Sequence, residues 1–566
     1  MSKLRKISVA PGEKGKFQNW GEDIFLEERC FPDLFPFGHG GYLSSLKDEK
    51  KENSGFAMYI KHRIMSVDPK FRNNSTYLFF LLLVKELVQL KRCKQTYLRQ
   101  ATKLPVLNKE TMRNIKREDL SRYNRSYQVF KSMRGTSMYY EEAKKNVMAL
   151  IRQNGSPSLF LTLSCAEYSW ESLLKQIVET VKNEEVSDED ISKLSSKEKS
   201  KFISENIVQS TVYFQRKIEK ELNLMTMDKF FGDNCQFSAS SYYYRVEFQQ
   251  RGAPHIHCLV WLEDEKGEPA PTFWTADSHQ DDKSYESETE EMINDRKRNE
   301  QMAKIKKIES IANQLICCSV NSAMCDIHQN ENQQLENDID KCDSCFSNGN
   351  DFEECQDHRK KLMNDDCDEC CSLRKMAADF QTHNHTFTCN KKNKVISIKS
   401  TEGHGRNGEK IRGTKISEIA LCRFNFPRFP LHKTKFILAM QKSLSAEEKN
   451  QRKSDLKQIK KFLIRISYNE NKSHNFEEFK SWTFLQFLFE VGMFVKERRC
   501  LEEYSLEEKT AALERYLNAL SASVRGSGSV FLKRQTRDLF TNNFNRRFLS
   551  VHKANHDIQI VIDQVC

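Results

Sequence analysis

The chain has 566 residues, enough for two to four domains with sizeable cores. Its longest apolar run, Tyr77–Val84, is far short of the roughly 20 residues that a membrane-spanning helix needs. No apolar stretch follows Met1 as a secretion signal would, which argues against a disulfide framework and for metal binding by clustered cysteines. Apolar residues make up 38% and charged residues 30%, the balance of a globular protein with polar inserts. The formal charge of +11 is unevenly spread: residues 1–263 carry 42 Lys and Arg against 32 Asp and Glu, residues 264–390 carry 14 against 28, and residues 391–566 carry 34 against 19. Two basic blocks suited to a polyanion flank an acidic insert, although a solvated lysine-rich surface gives the same totals.

In chain order, residues 1–22 are polar. Phe31–Gly41 holds too many Pro, Gly and aromatic residues for regular structure and reads as a rigid turn that plugs a core. Ala57 to Leu90 has helical periodicity, and its apolar run is expected to form a buried helix. Residues 112–153 read as two helices broken near Arg134–Thr136, with a stop at Asn154-Gly155-Ser156-Pro157. Ser158–Cys165 reads as a buried strand, followed by a helix to about Asn183, a charged linker or exposed helix, and a helix over 206–227.

The most informative stretch is Tyr242–Leu262. Aromatic and β-branched residues, a turn carrying Gly252 and Pro254, and a second apolar run predict a hairpin. His255 and His257 then share one strand face, and Glu247 falls opposite them on the partner strand. Two imidazoles and a carboxylate on one patch suit a divalent metal, while an ordinary strand with incidental histidines is the plainer reading.

Residues 264–316 are acidic and then mixed, ending in a helix-like Met302–Ile311. Eleven of the 18 cysteines lie between Cys317 and Cys422. Cys325 with His328, Cys342 with Cys345, Cys355 with His358, Cys367 with Cys370, and then His383, His385 and Cys389 have the short spacings of structural Zn²⁺ sites. An acidic insert with incidental cysteines is the alternative, and ligand pairing is open at this level. Cys422–Pro430 mixes aromatics with arginines, so Arg423, Phe424 and Arg428 are candidates for stacking on bases and pairing with phosphates. Helices are expected at Leu456–Ile466, Trp482–Phe494 and Leu506–Ala519, then a strand at Val530–Arg534. Lys533, Arg534 and Arg537, with Arg546 and Arg547, read as a basic patch for DNA. Gly403–Lys410 lacks the Ser or Thr of a phosphate loop, so no ATPase domain is expected.

The segment Glu247–His257 resembles the paired-histidine (HUH) endonucleases of rolling-circle replication, and more closely the N-terminal region of Helitron transposases. Asp68–Arg72, Arg134–Thr136, Phe160–Ser164, Trp170, His383–Cys389, Cys422–Phe424 with Pro427-Arg428, and Asn555–Gln559 also resemble that family's recurrent segments, as does the Phe31–Gly41 turn. The resemblance implies an α+β fold: an antiparallel sheet with flanking helices, a helical N-terminal region, a Cys/His-rich zinc insert and a mostly helical C-terminal part. Boundaries are expected at 1–110, 111–263, 264–324, 325–430 and 431–566.

In that family Glu247, His255 and His257 would hold Mg²⁺ or Mn²⁺ against single-stranded or transposon-end DNA. A tyrosine would attack the phosphate to leave a 5′-phosphotyrosyl ester and a free 3′-OH. The tyrosine pair is expected beyond Cys566, and the helicase half is absent from this chain, so no catalytic nucleophile is assigned. Whether the chain is an enzyme is therefore open: the resemblance implies a nuclear DNA-nicking domain that is inactive as it stands, with a non-catalytic DNA-binding protein as the alternative.

Overall fold

The computed structural model describes residues 23–48, 55–101, 128–232, 235–249, 252–271, 290–325, 367–385, 389–400, 403–404, 410–411, 415–468, 474–495 and 499–562. The fold is mixed α+β, as the resemblance implies. The chain divides into two compact units, one formed by Met1–Ala149 with Glu171–Tyr213, the other by Leu150–Trp170 with Phe214–Cys566.

The first unit is built on an aromatic core in which Phe31, Leu34 and Phe35 of the expected turn pack with Phe56, Phe71, Tyr77 and Leu81. Two adjacent carboxylates pin the turn. Glu27 accepts hydrogen bonds from Tyr59 Oη and Tyr77 Oη, each at 2.8 Å, and Glu28 accepts from the Gly41 amide at 2.8 Å and from the Ser44 hydroxyl. Burial pushes the Glu27 carboxyl above its usual range despite these donors. Gly41 has to be glycine: a Cβ there would sit 2.7 Å from Glu28 Oε2. The helix Ser75–Ala101 carries the apolar run, but it is only half buried. Tyr77 and Leu81 face the core, whereas Phe79 is 72% exposed and Leu82 and Leu83 are exposed. An eight-residue apolar run covers every side of a helix, and this core needs only one. The charged stretch after Asn183 forms two short helices, Asp188–Ser192 and Ser196–Glu205, each capped by a serine and each burying one isoleucine.

The second unit holds a four-stranded antiparallel sheet. Its strands are β1 (Leu159–Ser164), β2 (Phe237–Phe248), β3 (Pro254–Asp264) and one supplied almost 300 residues later by His556–Ile560. Alternation dictates its two faces. Leu159, Leu161, Leu163, Ile256, Cys258, Val260 and Ile558 are all buried on the core face. Phe160, Thr162, Ser164, His255, His257 and Glu247 lie on the other.

Further strands follow, β4 (Asn390–Ser400) with β5 (Lys415–Cys422), and β6 (Lys435–Leu438) with β7 (Gly528–Phe531), so the C-terminal strand of the four-stranded sheet is β8. The stretch read as acidic linker contains the helix Glu290–Leu315. Its Ile305 and Ile308 pack with Phe436 and Ile562, and Glu309 accepts the Phe436 amide at 2.7 Å. The three expected C-terminal helices are Ala446–Tyr468, Phe484–Val491 and Leu506–Ser521. They surround the fully buried Tyr516, whose hydroxyl donates to the Pro430 carbonyl at 2.8 Å. None of the described helices is long and apolar enough to cross a membrane.

Candidate functional site

β3 is the inner strand that organises the site. His255 lies opposite Glu247 on β2 and opposite Ser164 on β1, and His257 lies opposite Arg245 and Thr162. Directly opposed residues share a face, so three strands deliver their polar side chains to one patch. His255 Nε2 and His257 Nε2 are 3.2 Å apart, and Glu247 Oε2 is 3.8 and 3.5 Å from them. Two nitrogens at about 2.2 Å from one octahedral ion would be separated by about 3.1 Å, so the spacing fits a hard divalent ion with nitrogen and oxygen ligands. The Glu247 side chain is 50% exposed, leaving room beside the ligands for a phosphate oxygen or water. Burial and the neighbouring His257 push the His255 imidazole below its usual pKa, which favours the neutral ring that can ligate a metal.

Side chains around the triad hold it in place. Thr162 Oγ1 lies 3.1 Å from His257 Nδ1, and the Phe160 ring stacks on the His257 ring at 5.3 Å. With Nδ1–H donating to Thr162, the lone pair of His257 Nε2 faces His255 and Glu247. Asp557 on β8 lies opposite Thr162 on the same face. Burial raises its carboxyl pKa, although Gln559 bonds it and Arg428 and Arg534 bring positive charge near. The segment holding Asp557 was legible by resemblance, but its place in this row follows only from the pairing of β8 with β1.

Beneath the site, His552 fixes the end of β1. Its Nε2 is 2.9 Å from the Ser164 carbonyl and its Nδ1 is 2.9 Å from Glu221 Oε2. Burial pushes the Glu221 carboxyl up, but the hydrogen bond and charge of His552, with Lys217 at 3.0 Å, outweigh it and leave the group below its usual range.

Of the cysteine and histidine candidates, the structure brings together Cys325, Cys367 and Cys370 in one group and His383, His385 and Cys389 in another. His328, Cys342, Cys345, Cys355 and His358 lie outside the described residues. The second group contains a fourth member, Cys422, which the sequence reading had placed only in the aromatic and arginine stretch. Cys422 stands 33 residues from the nearest of its partners, so no short spacing marks it. Burial lowers His383 to about 4 and raises the Cys422 thiol.

The DNA-binding candidates separate by exposure. Arg423 lies over the Phe424 ring at 4.6 Å, and both are exposed. Arg428 is half-buried over Phe426 at 4.7 Å. Lys533 is half-buried and Arg537 is exposed. Arg534 is a correction: it is 4% exposed, and its guanidinium donates to the carbonyls of Cys318, Asp538 and Thr541 and to Asn543 Oδ1. It ties loops together and is turned away from any phosphate. Arg546 of the same expected patch is also buried, with Nη1 on the Met324 carbonyl at 3.2 Å.

Residues 44–260 match the family described as the Helitron helicase-like domain at the N-terminus. This stretch is a Helitron-type N-terminal region. It contains Glu247, His255 and His257 and ends before the Cys/His groups, and the match suggests a transposon-related, nucleic-acid-processing protein. No curated protein and no solved structure matches the chain.

Proposed function

We propose that the second unit is a metal-dependent domain for nicking and joining single-stranded DNA in rolling-circle transposition. The observation that carries this reading is the convergence of Glu247 Oε2, His255 Nε2 and His257 Nε2 on an accessible sheet face inside the Helitron-type region. Mg²⁺ or Mn²⁺ bound there would supply positive charge to a scissile phosphate. The chain's own groups position the metal ligands and the strand: Thr162 holds the His257 tautomer, Phe160 braces its ring, and Arg423 with Phe424 offers a charged and stacking contact, while the nucleophile is assigned to none of them.

In this reading a tyrosine oxygen bonds to phosphorus as the bond to the 3′ oxygen breaks, and the 3′ oxygen takes up a proton. Tyr243 shares the triad's face but lies four residues along β2 from Glu247, about 13 Å at strand spacing, so it suits a base contact and not the attack. For the Cys/His-rich region we propose zinc, because thiols and imidazoles converge there.

The test is incubation of the full chain with Mn²⁺ and end-labelled single-stranded DNA carrying transposon-end sequence. An SDS-resistant protein–DNA adduct that disappears in H255A and H257A supports nicking. Mn²⁺-dependent DNA retention without an adduct reduces the function to non-catalytic binding, and loss of neither in the variants removes the metal site from the reading.

A further inference from the structure

We infer that His383, His385, Cys389 and Cys422 are the four ligands of one closed zinc site, distinct from a second zinc site that includes Cys325, Cys367 and Cys370. This rests on the assignment of zinc to the Cys/His-rich region and on no part of the nicking proposal.

The distances carry the argument. Zinc bonds of about 2.0–2.1 Å to nitrogen and about 2.3 Å to sulfur set tetrahedral edges of about 3.3 Å between nitrogens, 3.5 Å between nitrogen and sulfur and 3.8 Å between sulfurs. The observed separations are 3.3 Å for His383 Nε2 to His385 Nδ1, 3.4 Å for His385 Nδ1 to Cys389 Sγ, and 3.4 Å for His383 Nε2 to Cys422 Sγ. In the other group Cys325 Sγ and Cys367 Sγ are 3.7 Å apart, the edge expected for two sulfurs on one ion and far beyond the roughly 2.05 Å of a disulfide. There the Cys325 amide points at Cys370 Sγ and the Cys370 amide at Cys367 Sγ, at 3.3 and 3.4 Å, as backbone donors do toward thiolate ligands.

The backbone explains why a distant cysteine completes the first site. Cys389 precedes β4 and Cys422 ends β5. Asn390 pairs with Cys422, and the Arg423 amide donates to the Cys389 carbonyl at 2.7 Å. The excursion between the two cysteines thus begins and ends at neighbouring sulfurs. The histidines are equally fixed. The His383 amide donates to the Phe540 carbonyl at 2.8 Å, and its ring stacks on Phe426 at 4.5 Å, while the His385 ring meets Phe540 edge-on. Cys389 and Cys422 are 1% and 7% exposed, His383 is half-buried and His385 exposed, and four protein ligands leave no open position on the ion, as in structural sites. Zinc there would staple β4 and β5 to the C-terminal end of the helix Asp368–Gln381 and set the ledge that carries Arg423 and Phe424.

The experiment is zinc content per chain, measured on the purified full chain after exhaustive dialysis. C422S and C389S should each hold one zinc equivalent less than the parent, C422H should keep the parent's content, and C371S, at an exposed cysteine outside both groups, should match the parent. A parent without zinc would sink the regional assignment and this inference with it. A zinc-loaded parent with C422S and C389S unchanged would overturn the inference alone. Where C422S does not fold, alkylation of the parent mapped by mass spectrometry decides: Cys389 and Cys422 should become labelled only after chelation, and labelling indifferent to chelation would overturn the site.

Discussion

His257 shows how much a single hydrogen bond can decide. A metal-binding imidazole needs its other nitrogen held, and Thr162 is the group within reach. T162V is therefore expected to weaken Mn²⁺ binding at the triad by about 10-fold or more, within the range for second-sphere partners, while T162S keeps it; calorimetric titration of Mn²⁺ into the three proteins reads this out. The arginines separate along the same line of reasoning. R423A should lower affinity for single-stranded DNA and flatten its salt dependence with no change in melting temperature. R534A should instead lower the melting temperature with little change in that affinity, because it removes the buried guanidinium that donates to four oxygens and costs about 3 kcal/mol or more of stability. At this scale the triad was legible, since alternation puts His255 and His257 on one face and the hairpin pairing brings Glu247 across from them. Cys422 and the burial of Arg534 were not, because both depend on segments that meet only in the folded chain.

Elements were legible wherever local chemistry closes them. Gly155 and Pro157 stop the helix before β1, and Ser195, Thr483 and Ser505 each open a helix through a capping box. What the pattern could not reveal is which elements lean on one another through buried charge. The helix Ile207–Met225 supplies Glu221, the helix Arg546–His552 supplies His552, and β1 supplies the Ser164 carbonyl between Thr162 and the site's edge. E221Q leaves Lys217 without its buried counter-charge, weakens the bond to His552 and should cost about 3 kcal/mol at neutral pH. The sign of its pH dependence follows from the depressed Glu221 pKa. The stabilisation is complete above the unfolded glutamate value, about 4.3, and fades as pH falls through the lower folded value. Urea melts should therefore show the gap between parent and E221Q closing below about pH 4, and a gap that persists there would assign the loss to packing. In the first unit, G41A drives a methyl group into the Glu28 carboxylate and should cost about 2–3 kcal/mol, lowering the melting temperature of that unit.

Across the whole molecule, the sheet is not the product of one continuous stretch. A core bounded at 111–263 contains β1, β2, β3 and every triad ligand, and periodicity alone gives no reason to look further. The fourth strand, β8, comes from His556–Ile560 and covers the edge of β1 with five paired residues, Leu159 to Ile560 through Leu163 to His556. Its Ile558 is fully buried, and His556, whose pKa burial depresses to about 3, is held in the core with Nε2 3.0 Å from the Asn545 amide and Nδ1 3.0 Å from Gln381 Nε2. Pairings of such sequence separation leave no local trace, because a strand's periodicity states that it pairs and not with what. The consequence is testable. A fragment of residues 111–263 keeps Glu247, His255 and His257 but exposes the β1 edge and loses the His552 anchor at Ser164. It should bind Mn²⁺ at least 10-fold more weakly than the full chain and aggregate on concentration. Supplying residues 541–562 on a flexible linker should recover part of the binding, because β8 and the helix Arg546–His552 return together. A bare 111–263 fragment that binds Mn²⁺ as tightly as the full chain would show that the three ligating strands hold their geometry unaided.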